Sequence, residues 1–202
     1  SQMKAALAQK EGTFENEIVP VEIPQREAEP IIFKDDEFLK PHTSIEGLAK
    51  LKPAFKKEGT VTAGNSSGLN DGSAAMLIAS ENGVKMHNLN PLARIVASAV
   101  VGVEPRIMGI GPVQAAKKAL TKGGLTMDEI DLIELNEAFS AQSLACTRQW
   151  GLADDDARIN SNGGALALGH PLGMTGTRIL QTAALELQRK QKKYALITMC
   201  VG

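Results

Sequence analysis

Asp131-Leu132-Ile133-Glu134-Leu135-Asn136-Glu137-Ala138-Phe139 decides the fold. The short apolar run 131–135 reads as a strand, and the segment from about 138 to 150 reads as the helix it feeds. Upstream, a strand over 92–101 precedes a helix over 112–122, where Pro112 suits the first turn and Gly123-Gly124 the stop. Downstream, a helix over 175–189 carries Ile179, Ala183 and Leu187 on one stripe, with Leu180 and Ala184 beside it. The apolar strand Tyr194 to Met199 follows. Strands alternating with helices imply right-handed crossovers and layered α/β packing.

The first ninety or so residues are less regular. Residues 1–12 read as the end of a helix, with Gly12 as its C-cap. Ile18 to Ile23 and Pro30 to Phe33 read as short strands that their prolines confine to sheet edges. Ile45 to Leu51 is a short amphipathic helix with Ser44 as a possible N-cap. After the turn-rich stretch Gly64 to Gly72, residues 74–79 read as a buried strand and 81–87 as a short helix. Asn88-Leu89-Asn90-Pro91 reads as a boundary, which divides the chain into segments 1–60, 61–90 and 91–202.

Composition excludes several roles. A net charge of -1 offers no basic field for nucleic acid or a membrane surface, and 3% aromatics leave little for base stacking. No apolar run approaches the roughly 20 residues that span a bilayer. Two cysteines in 202 residues read as reduced intracellular thiols, not a disulfide framework. No His/Cys/Asp/Glu spacing suggests a metal site. The chain starts at Ser1-Gln2-Met3-Lys4, within a helical pattern, and stops two residues after Cys200. It is therefore expected to be the later portion of a longer protein.

Three short segments carry the chemistry. His170 lies in Asn162-Gly163-Gly164-Ala165-Leu166-Ala167-Leu168-Gly169-His170-Pro171-Leu172-Gly173-Met174-Thr175-Gly176, whose glycines let backbone N–H groups approach a ligand ahead of a helix N-terminus. A glycine-rich turn with a satisfied histidine is an equal reading of the same spacing. Cys200 ends an apolar strand, where a thiol can reach a cleft and an imidazole can exchange its proton. Buried structural cysteine is the competing reading, and it fits Cys146 among Ala141, Leu144 and Ala145. Asn136, between strand and helix, can donate to an oxyanion or simply cap the helix.

Asn136-Glu137-Ala138-Phe139, the glycine-rich run through Gly169-His170-Pro171, and Cys200-Val201-Gly202, taken together and in that order, resemble the thiolase family. Within that family the resemblance is to its acetyl-CoA acetyltransferase (acetoacetyl-CoA thiolase) branch. Further matching segments are Ser1 to Val21, Thr60 to Gly72 and Val101 to Gly109. The resemblance implies a layered α-β-α-β-α fold of two similar halves with a CoA-binding loop domain. Residues 1–60 would be the later part of the loop domain, 61–90 the last strand and helix of the first half, and 91–202 most of the second half.

The resemblance also implies a ping-pong Claisen acyl transfer between acetyl-CoA and acetoacetyl-CoA, with CoA thioesters as substrates and no separate cofactor. The family's nucleophilic cysteine belongs to the first half. Neither Cys146 nor Cys200 matches its motif, so this chain is expected to be inactive alone. His170 would activate that thiol, Cys200 would move the α-proton, and His170 with an Asn136-held water would stabilise the enolate. The Gly202 N–H would contribute to a second oxyanion hole. Ser67 and Ala63 would contact the pantetheine, Phe55, Met108, Ala138 and Phe139 would line the channel, and Lys40 would face the CoA phosphates. A cytoplasmic homodimer or homotetramer is the expected assembly. A degradative 3-ketoacyl-CoA thiolase and a non-catalytic CoA-binding scaffold are the alternatives.

Overall fold

The computed structural model describes residues 1–201. The element order is α1 (Gln2–Lys10), β1 (Val21–Ile23), β2 (Ile31–Phe33), α2 (Ile45–Ala49), α3 (Glu81–Met86), a 3-10 segment (Pro105–Ile110), and α4 (Gly111–Gly123). A second 3-10 turn (Met127–Glu129) leads to β3 (Leu132–Leu135), α5 (Ser140–Gln149), α6 (Ala165–Leu168), α7 (Leu172–Arg189) and β4 (Ala195–Thr198). The α/β alternation expected from the second half is present.

β3 and β4 pair in parallel, with Leu132 opposite Ala195 and Leu135 opposite Thr198. All four residues of β3 are buried, which requires cover on both faces. Ile133, Leu135 and Leu196 pack with Val113 and Ala116 of α4 and Cys146 of α5. Strand alternation turns Glu134 and Asn136 to the other face, toward α7. There Ile179 and Ala183 are 1% exposed, so the stripe read from the sequence does face the sheet. The centre is thus helix, sheet, helix in three layers.

Local signals act where they were expected. Ser44 Oγ accepts from the Gly47 N–H, as read from the sequence, and Ser80 Oγ, which was not read as a cap, accepts from the Gly83 N–H. Gly124 ends α4 in the left-handed region at φ 66°, a conformation that costs glycine nothing. β1 and β2 form an antiparallel pair with Val21 opposite Phe33, and both strands are exposed.

Two expected strands do not form. Residues 74–79 and 92–101 belong to no sheet, so segment 61–90 holds a helix but no strand. Leu77 is 76% exposed and Val100 87%. An apolar run becomes a strand only where a neighbour completes its hydrogen-bond ladder, and none does so among the described residues. Part of the 92–101 backbone is instead satisfied from α4, where Lys118 Nζ donates to the Val100 carbonyl at 3.4 Å and Lys122 Nζ to Ser98 at 3.1 Å. Smaller differences concern helix starts. α7 begins at Leu172 with Pro171 as its N-cap, α5 begins at Ser140, and α6 arises inside the glycine-rich run.

The α7 side of the sheet holds a buried acid. Glu134 is 4% exposed. Burial is the main cause that pushes its carboxyl up to about 8, with Arg178 opposing and Glu137, Glu17 and Glu186 adding repulsion. A raised carboxyl stabilises the fold fully below its ordinary 4.5, and that contribution is lost as pH rises towards 8. Thermal unfolding followed by circular dichroism between about pH 5 and about pH 9 should therefore show stability falling with pH in this window. Glu134→Gln should flatten the slope. An unchanged slope would remove Glu134 as its source.

Candidate active site

His170 stands between the short α6 and α7 and is 9% exposed. Gly169 precedes it at φ 89°, a backbone that L side chains avoid, and a Cβ there would meet Asn70 at 2.8 Å. That close approach is used, because the His170 N–H donates to Asn70 Oδ1 at 3.1 Å. The imidazole is held from both ring nitrogens. Nδ1 lies 2.7 Å from Thr175 Oγ1, one turn into α7, and Nε2 lies 3.2 Å from Asn136 Nδ2.

Those contacts select a tautomer. The Thr175 hydroxyl donates its single proton to the Pro171 carbonyl at 2.9 Å, so it accepts from Nδ1–H. Nε2 then carries the lone pair and accepts from the Asn136 amide. Burial, followed by the Arg178 charge, holds the imidazole below its ordinary range, so it is neutral at physiological pH. A neutral imidazole with Nε2 directed at an amide donor is a base in position.

Asn136 is 1% exposed at the carboxyl end of β3. Its N–H donates to the Thr198 carbonyl at 3.0 Å, carrying the parallel ladder one residue past the strand. Its side-chain Oδ1 is buried without a hydrogen-bond partner among the described residues. Cys200 follows the adjacent strand β4 and is 6% exposed. Both groups thus leave the same end of one parallel pair, the usual place for ligand chemistry in α/β sheets. Burial raises the Cys200 thiol pKa, opposed by a hydrogen bond from its own backbone. Gly202 lies outside the described residues.

The expected CoA contacts divide into groups. Ser67 N–H donates to the Ala138 carbonyl at 3.0 Å, and Ser66 bridges Phe139, so Ser67, Ala138 and Phe139 are brought together next to Asn136. Phe55 is 77% exposed and lines an open hollow of ≈ 350 Å³ with Lys56, Glu58, Gly59, Thr60 and Val61. Ala63 is exposed beyond the Pro53–Thr62 bridge that closes this hairpin. Met108 is half-exposed on the 3-10 segment whose Gly109 carbonyl accepts from Cys146 Sγ. Lys40 is exposed on a separate loop, with Nζ 5.5 Å above the Phe38 ring and its N–H bonded to Gln2 Oε1.

Three supports were not found in the sequence: Asn70, Thr175 and Asn160. Asn70 and Thr175 each hold His170, and Asn160 bonds both the N–H and the carbonyl of Leu135, at 2.9 Å each. Thr175 could have been noticed, because it stands five residues after His170 in the first turns of the following helix. The other two are distant in sequence and carry no local signal. Among the described residues, no cluster of three or more His, Cys, Asp or Glu could hold a metal ion, and no helix is long and apolar enough to cross a membrane.

The thiolase C-terminal domain matches residues 89–202, and the thiolase N-terminal domain matches residues 1–82. The beta-ketoadipyl-CoA thiolase of Acinetobacter baylyi is 57% identical over 202 residues, which are 100% of this chain and 50% of that protein. The acetyl-CoA acetyltransferase of Chromobacterium violaceum is 54% identical, over 100% of this chain and 51% of its own length. Among solved structures, the Bacillus anthracis acetyl-CoA acetyltransferase superposes with a TM-score of 0.94 at 45% identity, covering 100% of this chain and 50% of that one. Human mitochondrial 3-ketoacyl-CoA thiolase in complex with CoA gives 0.93 at 48% identity, covering 100% and 49%. The chain thus spans about half the length of the curated relatives it matches. Both family domains and a shared fold at this identity mean that the chain belongs to the thiolase family.

Proposed function

We propose that this chain supplies the base, the amide and the second thiol of an acetyl-CoA C-acetyltransferase, which condenses two acetyl-CoA to acetoacetyl-CoA and CoA and runs the reverse thiolysis. The observation that carries the reading is the imidazole of His170, fixed through Nδ1 by Thr175 and presenting Nε2 to the Asn136 amide. A thiol nucleophile at neutral pH is only a few per cent thiolate, so it needs such a base.

In this reading the acyl-accepting thiol lies outside these residues, and the chain by itself does not turn over. Cys146 is a poor candidate because it is fully buried in the core cluster and burial raises its thiol pKa. The first acetyl group passes from acetyl-CoA to the nucleophilic sulfur, with His170 Nε2 taking the thiol proton and the departing CoA thiolate taking the proton of Cys200. Cys200, as thiolate, then removes an α-proton from the second acetyl-CoA. Negative charge moves to the thioester oxygen. There the protonated Nε2 and a water held by Asn136 donate to it, the amide oxygen of Asn136 having no other partner among the described residues. The enolate attacks the acyl-enzyme carbonyl, the new C–C bond forms, and the nucleophilic thiolate leaves and takes its proton back from Nε2, while Cys200 keeps the α-proton. The Gly202 N–H is proposed as a donor to that second carbonyl oxygen.

Ser67, Ala63, Phe55, Met108, Ala138 and Phe139 are proposed along the pantetheine path, with Lys40 at the CoA phosphates. A cytoplasmic homodimer or homotetramer belongs to the same reading. A second reading, thiolysis of a longer 3-ketoacyl-CoA, is favoured by one observation. A relative at 57% identity is named a beta-ketoadipyl-CoA thiolase. Comparing kcat/KM of the intact protein on acetoacetyl-CoA and on 3-oxoadipyl-CoA decides between them. Acetoacetyl-CoA is expected to be preferred, and a tenfold preference for the dicarboxylic substrate would overturn the assignment.

The two half-reactions separate the roles of the two catalytic groups. In the intact protein, Cys200→Ala should abolish condensation and thiolysis while leaving isotope exchange between acetyl-CoA and free CoA, because exchange needs only the acyl-enzyme and a proton for CoA that water can supply. Retained condensation would end the role given to Cys200. Asn136→Ala should lower condensation kcat by about 10²-fold, the typical cost of losing one oxyanion donor. A loss below threefold would take the amide out of the mechanism.

A further inference from the structure

Glu137 follows Asn136 and is half-buried, yet none of the steps above uses it. Its carboxylate accepts two hydrogen bonds from opposite sides. Asn160 Nδ2 donates to Oε1 at 3.0 Å, and the Leu166 N–H in the first turn of α6 donates to Oε2 at 3.1 Å. Asn160 is itself a splice. It sits at φ 44°, its N–H donates to the Ile133 carbonyl at 2.8 Å, and its amide bonds both backbone groups of Leu135. It therefore completes the edge of β3 that β4 does not cover.

The loop is built to admit this carboxylate. A Cβ on Gly164 would lie 2.5 Å from Glu137 Cδ and 2.7 Å from Asn160 Nδ2. On the other side of the loop, Gly163 at φ 89° lets α1 approach, since a Cβ there would lie 2.6 Å from Ala5 Cβ. Leu166 is gripped twice, because its carbonyl accepts from Gln2 Nε2 at 2.8 Å. Four residues after Leu166 comes His170.

We infer that Glu137, acting with Asn160, is the positioning residue that locks the 160–169 loop to the end of β3 and so sets the imidazole of His170 at its distance from the Asn136 amide. The consequence for acyl transfer rests on the function proposed above, whereas the positioning itself does not. Both partners are donors, so the site needs two acceptor oxygens at one position. A glutamine offers one acceptor and turns its NH₂ against the other donor. Loosening the loop lets water reach the imidazole and weakens the desolvation that lowers its pKa. It also degrades a geometry in which displacement of about 1 Å costs on the order of 10²-fold in rate.

The test uses the intact protein with Glu137→Gln. His170 titration is followed by NMR of the ring Cε1. The expected result is a His170 pKa moved up toward the ordinary range, kcat lower by about 10²-fold, and KM for the thioester within twofold. Gly164→Ala, whose methyl displaces the same carboxylate, should reproduce the titration shift, and this variant decides the question if Glu137→Gln does not fold. The double variant should be no worse than either single one. A His170 titration like that of the unmodified protein in Glu137→Gln, or losses that multiply in the double variant, would overturn the inference. Loss of the Cys200 and Asn136 effects on acyl transfer with a persisting titration shift would sink the functional reading and leave the positioning role standing.

Discussion

The register of one short parallel ladder governs everything at this site. Leu135 lies opposite Thr198, and the next N–H, that of Asn136, still finds the Thr198 carbonyl at 3.0 Å. Because side chains alternate along a strand, this register sends Ile133 and Leu135 into the apolar cluster and Glu134 and Asn136 toward α7. A slip by one residue would bury the amide among Val113, Ala116 and Cys146, and expose apolar groups where the chemistry is placed. The full burial of β3 makes that exchange costly, since every side chain on it would change environment.

The face toward α7 is unusual in what it buries. Thr175, Thr182 and Glu186 are each at most 2% exposed on that helix, and Glu134 sits across from them. Glu17 bonds Thr182 from the far end of the sequence, and Asn162 bonds Glu186. Buried polar groups cost free energy unless partnered, and here the partner of Thr182 comes from the segment after α1 and that of Glu186 from the glycine-rich run. One face of the sheet thus carries the apolar cluster, while the other holds the polar groups that fix loops. His170, held by Thr175, Asn136 and Asn70, is the outermost member of that polar layer.

Much of this was legible along the chain. The stripe through Ile179 and Ala183, the stop at Gly124, the cap at Ser44 and the strand into Asn136 are local signals, and each acts as read. The two strands expected at 74–79 and 92–101 show where such signals fail. Apolar content states that a segment is to be covered, but the ladder that makes it a strand belongs to a neighbour. α6 was missed for the opposite reason. Four residues inside a glycine-rich run have no periodicity to read, and Glu137 meets the N–H of Leu166 only after the chain has folded back.

The sequence by itself determined the alternating α/β order, the identity and sequence order of amide, imidazole and thiol, and the glycines that let backbones approach. These follow from residue type, spacing and allowed backbone angles, all of which are properties of short stretches. Tertiary structure alone decided which nitrogen of His170 carries its proton, how far Nε2 stands from Asn136, and that Glu137, Asn160, Asn70 and Thr175 hold the loop. Each of those depends on groups as many as 100 residues apart coming within hydrogen-bond distance. Pairwise proximity of that kind is set by packing, and nothing in a local pattern encodes it.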